Sequence, residues 1–329
     1  MNVSIAPPAA APEPDAGPDD RGRRVRRFYK AYGLTISSEV ALPELQPAVP
    51  TVPDIVIAVG PVDFPRPATE GGTAFRFEPT RQYLSWHAVG TFLISDAARI
   101  DVDPAQGIDD PLLAFPLLGP VLALLLHQRR LLILHASAIA VGGLSAIFMG
   151  DKGAGKSTTA GAMIRAGHLL LTDDVVALDL SNPSRPMILP GFPQLKLAAD
   201  AADAIRIGHA EVRPQVHPQI EKAQHRLQDG FSGEAVPAAR IYVLERGVRA
   251  AITLLPGAGA LSAIIKFSYV TRFGRQALVG DFASTHLSQC AELAAKVGVC
   301  RLEVPAGLER IDEAVALIEH DLAAGAQAR

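Results

Sequence analysis

The sequence has few cysteines, no surplus of charge of one sign and no apolar run of membrane-spanning length. Among its 329 residues are two cysteines, Cys290 and Cys300, too few for a disulfide framework and without zinc-site spacing. This fits a reducing cytoplasm. The net charge of −3 gives no electrostatic reason to expect nucleic acid or an acidic membrane as partner. We therefore expect a small molecule or a protein, and leave open whether the chain forms a homo-oligomer.

The most apolar stretch, residues 112–126, is interrupted by Pro116 and Pro120. It has about fifteen residues, whereas a helix that spans a bilayer needs about twenty. We therefore predict a buried helix and no membrane span, with peripheral contact as the alternative.

The first 27 residues are predicted to form a disordered tail. Ala and Pro dominate residues 6–18, and a basic run follows at residues 21–27. Such a composition cannot bury enough apolar area to offset the entropy lost on folding, and neither part has the apolar segment of a secretory signal. The basic run is interpreted as a solvated linker, with docking on an acidic peptide as the alternative.

From residue 28 to residue 108 the pattern is short and strand-like, with Gly and Pro between the runs. Strands are predicted at residues 54–59, 74–77, 83–86 and 90–94. This indicates a small β-rich region without a catalytic constellation. A role in substrate recognition is assigned to it by elimination.

Beyond residue 108 the pattern becomes that of an α/β domain. Short continuous apolar runs are typical of strands buried on both faces, and they occur at residues 131–134, 137–141, 144–149 and 169–172. Residues 157–166 form a helical pattern closed by Gly167. Further strands are predicted at residues 240–245, 251–255 and 300–304, and helices at 261–273, 285–297 and 310–323. We predict an α/β fold over residues 109–329, with a mixed central sheet flanked by helices.

A glycine-rich loop lies between the predicted strand 144–149 and the helix that follows. The predicted nucleotide-binding residues are Gly150, Asp151, Lys152, Gly153, Ala154, Gly155, Lys156, Ser157 and Thr158. In the pattern Gly-x4-Gly-Lys-Ser, the glycines allow tight turns, the lysine reaches the β/γ oxygens and the serine ligands Mg²⁺. The loop therefore predicts a P-loop that binds a nucleoside triphosphate, taken as ATP, with Mg²⁺. Asp151 and Lys152 occupy variable positions and are interpreted as loop surface.

Two carboxylates and a histidine follow the neighbouring apolar runs. Asp173 and Asp174 end the run 169–172, at the same sheet edge as the loop if the strands are parallel. One carboxylate there can hold Mg²⁺ while the other faces an acceptor. His135 ends the run 131–134, and from its spacing alone a structural role is favoured over a catalytic one.

Three blocks together resemble the catalytic domain of the HPr kinase/phosphorylase family. They are residues 135–138, the glycine loop and residues 167–174, in the same order and with similar spacing. The likeness is stronger to HPr-kinase-like serine kinases of lasso-peptide modification clusters, in which residues 32–34 and 42–45 also have counterparts. It covers mainly residues 110–200.

The resemblance implies an ATP-dependent kinase that transfers the γ-phosphate to a serine hydroxyl of a peptide or protein, such as a ribosomally made precursor peptide. By position, it implies that Asp174 takes the proton from the acceptor serine and that His135 lies near this base. Asp173 corresponds to the carboxylate beside the metal, with Ser157 as the other metal ligand and Lys156 at the phosphates. The family's Glu-containing block has no clear match in residues 190–197, so no further metal ligand is assigned.

Cations that could stabilise charge on the transferring phosphoryl group are Lys196, Arg206, Arg240, Arg272 and Arg275. Two other functions stay open. A nucleotide-dependent switch or assembly factor would share the loop and Asp173 but need no acceptor. A small-molecule kinase would usually need an arginine-rich lid; the sequence has no convincing match, and residues 240–249 come nearest to one.

Overall fold

The computed structural model describes residues 24–182, 185–208, 210–213 and 222–327. Residues 1–23 of the predicted tail lie outside the described residues. In the described part of this segment, Arg24 pairs with Asp110 at 2.6 Å and the first strand begins at Arg27. Residues 24–27 are therefore ordered, and the predictions of a tail and a solvated linker are wrong for them.

The N-terminal part of the chain is an eight-stranded sheet, in agreement with the β-rich pattern. Its strands are β1 Arg27–Ala31, β2 Leu34–Ser38, β3 Gln46–Pro47, β4 Ile55–Val59, β5 Thr73–Phe77, β6 Arg81–Trp86, β7 Gly90–Ser95 and β8 Arg99–Pro104. They lie in the order β3-β1-β2-β4-β8-β7-β6-β5, and the pairs β2–β4 and β4–β8 are parallel. Leu84, Phe92 and Ile100 from adjacent strands are fully buried on its core side.

A kinked helical segment follows this sheet and packs against it. It consists of α1 Asp110–Pro116, a π-helical turn Leu117–Val121 and α2 Leu122–Gln128. Gly119, between the two prolines, leaves the helical region of φ/ψ space and produces the kink. The whole segment is long and apolar enough to cross a membrane by length and composition, but 72% of its apolar window is buried inside the protein. It packs as the buried helix that the sequence predicts.

The rest of the chain is α/β, as predicted. Its strands are β9 Leu132–Leu134, β10 Ala136–Val141, β11 Leu144–Met149, β12 Leu169–Thr172, β13 Val176–Asp179, β14 Met187–Leu189, β15 Gln194–Leu197, β16 Ala210–Val212, β17 Ala223–Leu227, β18 Val236–Gly247, β19 Ala251–Leu254 and β20 Gly298–Pro305. Its helices are α3 Lys156–Arg165, α4 Ala199–Ile205, α5 Gly257–Phe267, α6 Phe282–Lys296 and α7 Ile311–Gln327.

The large sheet is mixed, which confirms this part of the prediction. Its order is β12-β10-β11-β18-β14-β13-β9, and β20 lies against β18 with β19 beyond it. The pairs β11–β18 and β18–β20 are parallel, and the other pairs are antiparallel. Strands β15, β17 and β16 form a separate three-stranded sheet in that order.

Strands β11 and β12 end at the same edge of this sheet, although they are not neighbours. Both run antiparallel to β10, which lies between them, so they share a direction. Met149 at the end of β11 is paired with Ala136, and Thr172 at the end of β12 is paired with Ala138. The glycine loop and the aspartate pair therefore leave the sheet side by side, as predicted.

Two predicted segments differ from the structure. The predicted helix 261–273 ends at Phe267, because the backbone turns extended at Ser268 before a 3₁₀ turn over Tyr269–Phe273. The proposed arginine-rich lid at residues 240–249 is for the most part β18, a strand paired on both sides. A strand held in this way cannot act as a lid, and the strand predicted at residues 240–245 is confirmed.

The turn between β1 and β2 fixes the N-terminal sheet to the loop that follows β12. Tyr32 and Gly33 form a two-residue turn in which both have positive φ, 54° and 72°. Positive φ is unfavourable for a bulky residue, and contacts hold Tyr32 in place. Its side chain is 1% exposed, its amide donates to Pro190 O at 2.7 Å and its hydroxyl donates to Val175 O at 3.1 Å.

Replacing Tyr32→Phe should lower the free energy of unfolding by about 1 kcal/mol, because the buried Val175 O then loses one of its donors and keeps the bond from Thr172 Oγ1 at 2.7 Å. The control is Tyr83→Phe, since Tyr83 is also buried, at 6% exposed, and lies in the same sheet but contacts Phe64 and Arg76 through its ring. Urea unfolding of both variants measures the difference. Equal losses in the two variants would contradict a stabilising role of the Tyr32 hydroxyl.

Candidate functional site

The glycine loop connects the buried strand β11 to the N-terminus of α3. Gly153 and Gly155 have φ values of 84° and 100°, which glycine adopts without strain. A Cβ at Gly150 would lie 2.8 Å from the Cβ of Ala154, so the first turn requires glycine for its close approach. The Nζ of Lys156 donates to Gly150 O at 2.8 Å and therefore curls back over the loop. The loop has the turns and helix N-terminus that the pattern predicts.

Asp173 lies at the centre of the site and is 7% exposed. Its carboxylate accepts from Ser137 Oγ at 2.6 Å, from Ser157 Oγ at 3.1 Å and from the backbone N of Lys196 at 3.0 Å. The contact with Ser157 joins the two predicted metal ligands. The other two donors were not predicted. Ser137 lies within the block that carries the family resemblance, and this was the only signal for it.

Burial raises the pKa of Asp173, and the charge of Asp174 raises it further. The hydrogen bond from Ser137 opposes this rise, because it stabilises the ionised form. A cation beside the carboxylate would have the same effect. Asp173 is therefore suited to hold a positive ion.

Asp174 differs from its neighbour in backbone and in partner. Its φ of 69° lies in the left-handed region, which Asp tolerates better than most residues. Its carboxylate lies 2.8 Å from the Nζ of Lys196, which also lies over the ring of Phe115 at 4.9 Å. Burial alone would raise the pKa of Asp174, but the Lys196 ammonium outweighs it and holds this pKa below its usual range. Of the five candidate cations, Lys196 is therefore the one that pairs with an aspartate of the site.

His135 is held at the edge of the site by its backbone and its ring. Its amide donates to Phe267 O at 2.8 Å, its Nδ1 lies 3.2 Å from Asp174 O, and its ring packs edge-on against Tyr269. Burial lowers the pKa of His135 to about 4, so the ring is neutral at pH 7. Because a carbonyl oxygen can only accept, Nδ1 carries the proton. His135 is close to Asp174, as predicted, but it contacts the backbone and not the carboxylate.

The four candidate arginines lie in different surroundings. Arg240 pairs with Asp321 at 2.9 Å, and Arg206 donates to a carbonyl of its own helix α4. Arg272 stacks on Tyr269 at 5.0 Å, and its charge contributes to the lowered pKa of His135. Arg275 is exposed in the following turn. Of these four, Arg272 borders the site.

The metal-binding potential of the site rests on few ligands. Within the described ranges, no group of three or more His, Cys, Asp and Glu side chains could hold a metal ion. Mg²⁺ in phosphoryl-transfer sites usually takes one or two protein ligands and completes its shell with phosphate oxygens and water. The adjacent Ser157 and Asp173 fit this arrangement better than that of a closed protein cage.

No protein-family model matches the chain, and no curated protein matches it. Among solved structures, the chain is similar to the Hpr(Ser) kinase/phosphatase from Coxiella burnetii. The sequence identity is 12%, the match covers 58% of this chain and 96% of that chain, and the TM-score is 0.28. The likeness is a distant one of fold alone, and the function proposed below rests on the geometry of the site.

Replacing Ser137→Ala should cost about 1.5–3 kcal/mol of unfolding free energy at pH 7, because a buried carboxylate loses a donor. Ser145→Ala on the neighbouring strand is the matched control, since its hydroxyl donates to the neutral carbonyl of Pro237 at 2.9 Å. Its cost should be about 1 kcal/mol. Urea unfolding measures both, and a control that costs as much as Ser137→Ala would show that the charge on Asp173 is unimportant.

Acid should weaken the fold in part through His135. Burial lowers the pKa of His135 to about 4 in the folded chain, whereas the ordinary value of 6.5 applies to the unfolded chain. The unfolded chain therefore binds a proton first, and the unfolding free energy falls as the pH drops from 6.5 towards 4. His135→Gln should make this fall shallower in a series of urea unfolding curves. His127→Gln, at a second buried histidine with a pKa of about 4, should act similarly. Unchanged slopes in both variants would contradict the assignment.

Proposed function

We propose that the chain is an ATP-dependent serine kinase that transfers the γ-phosphate to a hydroxyl of a peptide or protein. One observation carries the proposal: Asp173 and Asp174 are adjacent carboxylates with different partners. Asp173 contacts the loop serine Ser157, whereas Asp174 pairs with Lys196. The pair of Asp173 with Ser157 suits a metal ion, and the ionised Asp174 beside Lys196 suits the hydroxyl that receives the phosphate. The resemblance of the three sequence blocks to HPr-kinase-like serine kinases supports the same assignment.

The loop fits the phosphate groups of ATP. Backbone amides of residues 150–158 and the N-terminus of α3 would hold the phosphate oxygens, with Lys156 reaching between them. Ser157 and Asp173 would hold Mg²⁺. When bound, ATP supplies the phosphoryl group and Mg²⁺ neutralises part of its charge.

Asp174 would orient the acceptor hydroxyl. Lys196 keeps its carboxylate ionised at neutral pH, so that it can accept the hydrogen bond of a serine O–H. A carboxylate with a low pKa is a weak base, but phosphoryl transfer depends mainly on positioning and on cations. Orientation is therefore the larger part of its role. Lys196 is the cation best placed to stabilise charge that develops on the acceptor side.

This geometry favours transfer over the two other functions. A nucleotide-dependent switch needs the loop and Asp173 but not the ion pair of Asp174 with Lys196. A small-molecule kinase needs a closing lid, and the segment proposed for it is a central strand. We propose a peptide or protein acceptor in the cytoplasm, with a ribosomally made precursor peptide as the first candidate.

Asp174→Asn should abolish transfer and preserve nucleotide binding. The variant keeps the size of the side chain but loses the negative charge, so the label passed from γ-labelled ATP to serine peptides should fall by about 10²–10⁴-fold. The affinity for a non-hydrolysable ATP analogue should stay near that of the wild type.

The matched control is Asp179→Asn at the end of β13, where the carboxylate accepts from the amide of Ser181 among the described residues. This variant should transfer label at the wild-type rate. An Asp174→Asn enzyme that also does so would remove Asp174 from the reaction.

A further inference from the structure

The three-stranded sheet has one apolar and one polar face. Leu195 and Leu227 lie on the apolar face and belong to the core beneath α3 and α4. Cross-strand partners share a face, so Gln194 lies beside Arg226 on the other side, with Lys196 two residues along the strand. Because Lys196 contacts Asp174, this polar face begins at the acceptor side of the site.

The segment around Glu44 approaches this face from the N-terminal sheet. Both Nη atoms of Arg226 reach Leu45 O only at 3.5 Å. Burial raises the pKa of Glu44, and the nearby charges of Arg213, Arg226 and Lys196 oppose this rise. Arg213 lies next to β17, since its amide donates to Gln224 O at 2.8 Å. The polar face and the Glu44 segment thus form two sides of one region.

Three buried polar atoms in this region have no hydrogen-bond partner in the described part of the chain. They are Oε1 of Gln194, Oε2 of Glu44 and Nε of Arg213. The side chains of Gln194 and Glu44 are 4% and 6% exposed, so neither is a surface group. A buried polar atom without a partner is unfavourable, because it has lost its bonds to water. A ligand that supplies the missing bonds would recover this cost.

The unpartnered atoms include both hydrogen-bond donors and acceptors, which restricts the chemistry of a ligand that could satisfy them. Arg213 offers an N–H donor and Arg226 adds weakly engaged donors, whereas the side-chain oxygens of Gln194 and Glu44 offer acceptors. A phosphate or carboxylate alone would satisfy the arginines but repel the two acceptors. A peptide backbone carries N–H donors and C=O acceptors in alternation, and it can satisfy both kinds.

We propose that this polar face binds an extended backbone segment of the acceptor peptide, next to the serine that Asp174 orients. Gln194 and Glu44 accept from its amides, and Arg213 and Arg226 donate to its carbonyls. The inference rests on the proposed kinase function and deepens it. It implies that the acceptor is recognised through its main chain and is not a free small molecule.

The test uses Gln194→Met, which keeps the side-chain size and removes the acceptor. A library of acetylated and amidated serine peptides is first screened for label from γ-labelled ATP, and the best peptide is then used. The KM for this peptide should rise about tenfold, in line with one lost hydrogen bond. The change in kcat should be much smaller. Gln82→Met is the matched control, because Gln82 is also a fully buried glutamine with orphaned amide atoms but lies in β6. Its KM should equal that of the wild type.

A second comparison separates recognition from a structural effect. N-methylation of one backbone amide near the serine should raise the wild-type KM, and the same peptide should show no further rise with Gln194→Met. Equal effects of N-methylation at every position in both enzymes would overturn the inference, as would an unchanged KM in Gln194→Met. If the wild type labels no peptide of the library, the proposed kinase function itself fails.

Discussion

The buried carboxylate of Asp173 is the constraint on which the site depends. A carboxylate in an apolar place is costly unless donors satisfy it. Its three donors come from β10, the start of α3 and β15, through Ser137, Ser157 and the amide of Lys196. One charge therefore holds the glycine loop, the strand beside it and the small sheet in a fixed arrangement. The turn at Tyr32 supports the loop after β12, which carries Asp173, from the N-terminal sheet.

This arrangement separates two adjacent carboxylates. Neighbouring residues on a strand point to opposite sides, but both aspartates lie beyond the end of β12, and the left-handed backbone of Asp174 turns its side chain towards Lys196. As a result burial raises the pKa of Asp173, whereas the lysine lowers that of Asp174. Pairs of groups whose environments move their pKa values apart are typical of sites with divided roles. Lys196 contacts both residues, since its backbone amide donates to Asp173 and its ammonium pairs with Asp174.

Much of the α/β core could be predicted from the sequence, because strands buried on both faces appear as continuous apolar runs. Strands β10, β11 and β12 and the loop between β11 and α3 were found in this way. The short strands β14 and β15 were missed, since three or four residues give too little pattern. The contact of Ser157 with Asp173 follows from the motif and its strand context. Ser137 and Tyr32 reach the site over 36 and 143 residues of sequence, and no local pattern encodes such contacts.

The most direct test of phosphoryl transfer is the fate of the γ-phosphate. Wild-type protein is incubated with Mg²⁺, ATP and the serine-peptide library, and mass spectrometry and ADP measurement follow the products. The account predicts phosphoserine in the peptide and an equal amount of ADP, because Asp174 directs an acceptor hydroxyl and not water to the phosphate. ADP and inorganic phosphate without any modified peptide would contradict it and would indicate a nucleotide-dependent switch.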